Sequence, residues 1–139
     1  MLNKNKIRKI DVVIVTHNDL DHCSGILDLL HIIPVGEIYM TPHALRYPTQ
    51  VINKIIQTAR GKKIIVQNIT SGWSMKTCHG TITALWPLEN TVYSTSNEAS
   101  VVLSVQSVGR TILLTGDITE KTITTFLESK INTVDVLEL

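Results

Sequence analysis

Residues 16–22, Thr-His-Asn-Asp-Leu-Asp-His, constrain this chain more than any other stretch. Four side chains able to ligate a metal, His17, Asp19, Asp21 and His22, fall within six residues, directly after the apolar run Ile10–Val15. In extended backbone alternate residues project to one side, so His17, Asp19 and Asp21 are expected to share a face. His22 is expected to turn toward a second ion as a helix begins after it. Imidazole with carboxylate suits zinc, manganese or iron, whereas calcium takes oxygen alone. Packed carboxylates repel unless a cation lies among them, which argues for metal binding. A solvated polar loop is the competing reading.

A chain of 139 residues is expected to form one domain, residues 1–139, with a real core. Its net charge of +1 lacks the basic excess typical of a nucleic-acid footprint. Lys4, Lys6, Arg8 and Lys9 cluster near the start and read as a solvated lead-in to the first strand. The apolar run that follows is too short for a signal peptide or a membrane span. Cys23 and Cys78 make neither a disulfide framework nor a Cys-x-x-Cys metal pattern. The chain reads as soluble and cytoplasmic by default, or as derived from the soluble domain of a membrane protein.

Elements alternate as in a layered α/β fold. Strands are expected over 10–15, 35–40, 62–69, 80–86, 100–108, 111–115 and 133–139. Helices are expected over 24–33, closed by Pro34, over 49–60 with Gly61 as a stop, and over 119–129 with Thr119 as N-cap. Gly109-Arg110 suits a tight two-residue hairpin.

Three motifs together resemble the metallo-β-lactamase superfamily, whose signature loop is His-x-His-x-Asp-His. Here Thr16–His22 carries Asp19 in place of the second histidine, a variant similar to the hydrolase domain of the ComEC-type competence proteins that take up DNA. Asn97-Glu98-Ala99-Ser100-Val101-Val102-Leu103 resembles that family's Asn-x-x-Ser-apolar strand. Thr111-Ile112-Leu113-Leu114-Thr115-Gly116-Asp117 resembles its apolar-strand-Thr-Gly-Asp motif. The resemblance implies a metallo-β-lactamase-like αββα sandwich, in part, and a metal-dependent hydrolase acting on DNA or another phosphodiester.

By the same resemblance His17 and Asp19 hold a first metal, Asp21 and His22 a second, and Asp117 bridges them, with one or two zinc or manganese ions as cofactor. Asp21 is expected to orient the attacking water. Gly116 allows a close turn before Asp117. Asn97, where many members place a third histidine, has three open roles: weak metal ligand, substrate contact or turn cap. Ser100 reads as a strand residue, since no histidine base accompanies it as a serine triad needs. His31 reads as packing or surface, His43 and His79 as loop histidines, Cys23 as a small buried hydrophobe, and Trp73 and Trp86 as packing.

The family pattern also has an Asp-x-Gly strand pair before the signature loop and a His-His-Gly-Ser segment after the last strand, and neither occurs in this sequence. The expectation is a central piece of the domain, or a product shortened at both ends. Two other readings stand beside the hydrolase. One is a vestigial or regulatory metal-binding module without turnover. The other is a phosphotransferase of the haloacid-dehalogenase type, built on Asp19-Leu20-Asp21 and Gly116-Asp117. That last reading leaves both flanking histidines without a purpose.

Overall fold

The computed structural model describes residues 7–127 and 134–138. β1 (Ile10–Val15), β2 (Val35–Met40) and β3 (Ile65–Asn68) form a parallel sheet in that order. The segments between them hold α1 (Leu20–Ile32), the short α2 (Pro42–Arg46) and α3 (Gln50–Gly61). A second sheet runs β4 (Ser74–Thr77), β5 (Gly80–Trp86), β6 (Val102–Ser107) and β7 (Arg110–Leu114), each antiparallel to the next. After α4 (Glu120–Leu127), β8 (Val136–Glu138) adds to β7 in parallel.

Alternation along the strands sets the layers. Val13 and Val15 face the cluster that α1 and α3 close with Leu30, Ile52 and Ile55, while Ile14 and Tyr39 face the opposite way. On that side they meet Ile82, Ala84, Leu103 and Leu114 of the second sheet. The outer face of the second sheet carries Val102 and Leu113, covered by Tyr93, Ile118 and Val134, the last two flanking α4. The order of layers is the αββα arrangement expected from the sequence.

β5 changes sides partway along. Ala84 pairs with Leu103 and Trp86 with Val102, leaving Leu85 as an extra residue in the register. Such a bulge reverses the phase of the side chains. Trp86 therefore joins the outer cluster although Ala84, two residues earlier, lies between the sheets. Trp73 and Trp86 are both packing residues, as expected.

Several boundaries differ from the sequence reading, each for a local reason. α1 begins at Leu20 and not at Ser24, because the Asp19 carbonyl accepts the amides of His22 and Cys23, both at 3.2 Å. Asp21 and His22 thus sit in a helical first turn, where the N-terminal dipole favours Asp21, and not in an extended loop. α3 runs through Gly61, which is helical and not its stop. The stop is a Schellman turn: the Lys63 amide donates to Arg60 and the Ile64 amide to Ala59, with Lys63 at φ +59°. β3 accordingly starts at Ile65 and not at Lys62.

The hairpin turn between β6 and β7 is Val108-Gly109, both at positive φ (+49° and +71°), and Arg110 already belongs to β7. Two elements were not legible: α2, a single turn capped by Thr41, and β4, a four-residue edge strand. The expected ends of the last helix at Ser129 and of the last strand at Thr133 and Leu139 lie outside the described residues, as do Lys4 and Lys6. Arg8 and Lys9 are exposed, and Lys9 pairs with Asp11 at 2.9 Å. Among the described residues no helix is long and apolar enough to cross a membrane.

Lys63 and Val108 occupy the left-handed region, which costs an L residue about 1–2 kcal/mol. Val108 is 92% exposed, so its methyl groups gain little packing in return. Lys63→Gly and Val108→Asn should each raise the unfolding free energy by about 1 kcal/mol, and additively because the turns belong to different sheets. Urea denaturation with an unchanged slope checks this.

Candidate metal centre

The strand-end edge of the first sheet meets the turn after β7 at His17. Its ring is 1% exposed, yet its Nε2 has no hydrogen-bond partner. That nitrogen faces Asp19 Oδ2 at 3.7 Å and Asp117 Oδ2 at 3.8 Å, too far for hydrogen bonds. His22 Nε2 lies 3.3 Å from Asp117 Oδ2 and 3.6 Å from Asp21 Oδ2. The two imidazoles stand 4.2 Å apart between centroids, tilted by 46°. Donor atoms of His17, His22 and Asp117 all fall within 4.8 Å of one another.

Every sequence-derived ligand candidate thus comes to one edge, but not equally. Donors around a tetrahedral zinc at about 2.0–2.2 Å lie roughly 3.5 Å apart, so His17, His22 and Asp117 can converge on a cation with small adjustments. An orphaned, buried imidazole nitrogen facing two carboxylates fits a divalent ion, as does a donor set of imidazole and carboxylate. Asp19 borders this group through His17. Asp21 stands at the mouth, with its side chain 81% exposed.

The chain rigidifies this edge from several directions. Asn18 is buried, donates from Nδ2 to the Tyr47 carbonyl at 3.1 Å, and receives the Thr49 hydroxyl on its own carbonyl at 3.5 Å. Asp19 makes no side-chain cap to α1, which leaves its carboxylate for the site. Gly116 sits at φ +56°, and a Cβ there would lie 2.5 Å from Ser100 Oγ, so the turn into Asp117 needs glycine on both counts. Ser96 donates its hydroxyl to Asp19 Oδ1 at 2.8 Å. Ser100 Oγ accepts the Asp117 amide at 3.2 Å and lies 3.4 Å from His17 Nδ1.

Asn97 accepts the Ser100 amide on its carbonyl, and its Oδ1 lies 3.1 Å from the Ser96 oxygen, whose one proton goes to the nearer Asp19. Asn97 also lines a cleft of about 420 Å³ with Asp117, Thr119 and Ile123. A second groove, about 440 Å³, lies between α2 and residues 87–93, with His43, Arg46 and Tyr47 on one wall. None of the five clustered acids and histidines lines it. The bond from Asn18 to Tyr47 links its wall to the loop that carries His17 and Asp19.

Sequence reasoning missed Ser96, Asn18 and the bridging position of Ser100. A run of hydroxyl and amide residues at 94–97 was the only signal, and spacing alone does not say which of them turns inward. His43 belongs to α2 and not to a loop. His31 is a surface residue bonded to the Leu27 carbonyl, and Cys23 is fully buried, where desolvation pushes its thiol up.

A layered α/β scaffold that gathers imidazoles and carboxylates at a strand-end edge defines a metal-binding class of protein. The chain belongs to the metallo-beta-lactamase superfamily, whose family model matches residues 1–137. The Zn(2+)-bound PqqB from Methylobacterium extorquens is similar in structure, with a TM-score of 0.57 and 19% identity over 92% of this chain. That likeness is one of fold, and this chain spans 44% of that one. Among curated proteins no sequence matches.

Burial pushes the His17 imidazole below its ordinary value and His22 pushes it the same way, against Asp117, Asp19 and Asp21. The neutral ring keeps its Nε2 lone pair for a cation. A histidine held below its unfolded value of about 6.5 binds fewer protons when folded, so its contribution to stability is present above that pH and lost as pH falls. Metal-free protein should therefore lose stability as pH drops below about 6.5, and His17→Gln should flatten that part of the profile. Thermal unfolding across pH in the presence of a chelator reads it.

Proposed function

We propose that the chain is a metal-dependent phosphodiester hydrolase domain in which His17 and Asp19 would hold one divalent ion, Asp21 and His22 would hold a second, and Asp117 would be shared between them. The observation that carries the reading is the convergence of His17, His22 and Asp117 around the unpartnered Nε2 of His17. Zinc or manganese matches the mixed imidazole and carboxylate set. When bound, such an ion supplies Lewis acidity and lowers the pKa of water at its open position toward about 7.

The chain's own groups then divide the remaining work. Asp21, exposed at the mouth, orients the attacking water and accepts its proton. Asn97, on the cleft wall, contacts the substrate through its amide. Burial of His17 keeps water from competing for its nitrogen. DNA is the proposed substrate, supported by the likeness of residues 16–22, 97–103 and 111–117 to the ComEC-type competence proteins. Fold alone does not select a substrate, so this part of the reading rests on those motifs. The proposed setting is a soluble, cytoplasmic domain or the soluble part of a membrane protein.

A second reading, a regulatory or vestigial metal-binding module, is favoured by the exposure of Asp21 and by a tight cluster that, among the described residues, holds three donors, those of His17, His22 and Asp117. Elemental mass spectrometry of the purified protein separates the two. The hydrolase reading expects about two zinc or manganese ions per chain, lost in Asp117→Ala, and cleavage of DNA or a phosphodiester that falls with them. One ion without turnover supports the module. A folded chain with no bound metal overturns both.

A further inference from the structure

The turn between β5 and β6 places two side-chain hydroxyls, four residues apart, against three members of the metal centre. Ser96 Oγ donates to Asp19 Oδ1 at 2.8 Å, while Ser100 Oγ accepts the Asp117 amide at 3.2 Å and stands 3.4 Å from His17 Nδ1. Ser100 is completely buried, and the turn is pinned from outside by the Trp86 indole, which donates to the Glu98 carbonyl at 2.7 Å. Asp19 and His17 follow the first sheet, and Asp117 follows the second. A single turn therefore grips groups from both.

We propose that Ser96 and Ser100 are positioning residues that set the metal centre before any ion arrives. Ser100 does so by fixing the ring of His17 and the backbone of Asp117, Ser96 by fixing the Asp19 carboxylate. The proposal rests on the metal reading of the site but adds residues that touch no ion. The Ser100 hydroxyl has one lone pair taken by the Asp117 amide and a second open to a proton on His17 Nδ1. Thr16 Oγ1 also lies 3.2 Å from this nitrogen. With the proton on Nδ1, the lone pair of Nε2 points bare toward Asp19 and Asp117, which is the form a ligand needs. On Asp19, the Ser96 bond occupies Oδ1 and leaves Oδ2 facing His17.

The roles make different predictions for the two residues. Ser100→Ala should weaken zinc or manganese binding by about 10–100-fold and raise the share of Nε2-protonated His17 in metal-free protein. Ser96→Ala, at a half-buried position, should weaken metal binding by a similar factor with no change in the His17 tautomer, and Ser96→Thr should restore it. Competition against a chelating dye gives the affinities, and long-range proton–nitrogen spectra of the chelated protein give the tautomer. Circular dichroism checks the fold, and Ser96→Ala carries the test if Ser100→Ala fails to fold.

The proposal is overturned if folded Ser96→Ala and Ser100→Ala bind metal within about two-fold of the parent, or if His17 of the metal-free parent carries its proton on Nε2. A parent that takes up no metal overturns the metal reading instead, and the tautomer of His17 in parent and Ser100→Ala then decides the role of Ser100 alone.

Discussion

The amide of Val101 donates to the carbonyl of Thr16 at 2.9 Å, and the site depends on that bond. Thr16 is the last step before His17, and Val101 links Ser100 to the start of β6 at Val102. Neither residue is in a ladder with the other, so the bond joins two sheets and not two strands of one. Val101 is fully buried, which makes loss of the bond expensive, since an unpaired amide there would have no water to turn to. With the two chain segments stitched together, Ser100 lies against His17 and the turn through Gly116 brings Asp117 alongside. The convergence of imidazoles and carboxylates is thus a backbone arrangement first and a side-chain arrangement second.

Much of this was legible in the sequence, and the divisions have physical causes. Strands written as an apolar run or an alternation, such as Ile10–Val15 and Gly80–Trp86, declared themselves with their ends in place, although the bulge inside the second left no trace in the sequence. So did the candidate ligands, because histidines and aspartates packed so densely repel or go unpaired without a cation. Short elements were invisible. α2 is held by Thr41 and by its position over the strand ends, and β4 by its pairing with β5, neither of which leaves a periodic trace. The start of α1 was misplaced because its first turn is polar, with Asp21 and His22 in it.

The least legible feature was the support around the ligands. Ser96 and Asp19 are 77 residues apart in sequence, and Ser100 and His17 are 83 apart. Serine is common and carries no spacing rule, so contacts of this kind emerge only when both sheets are in place. Asn97 illustrates the point from the other side. The motif drew attention to its side chain, whereas its carbonyl closes the turn, and the contacts to the centre come from Ser96 and Ser100 nearby.

The bulge in β5 has an optical corollary. By sending Trp86 to the outer face while Trp73 stays between the sheets, it gives the only two indoles of the chain separate environments. Trp86 also holds the carbonyl of Glu98, inside the turn that carries Ser96 and Ser100. Its emission therefore reports the ordering of that turn, while the emission of Trp73 reports the closure of one sheet upon the other. The two indoles are thus placed to follow different events, one the assembly of the sandwich and one the ordering of the turn beside the candidate metal centre.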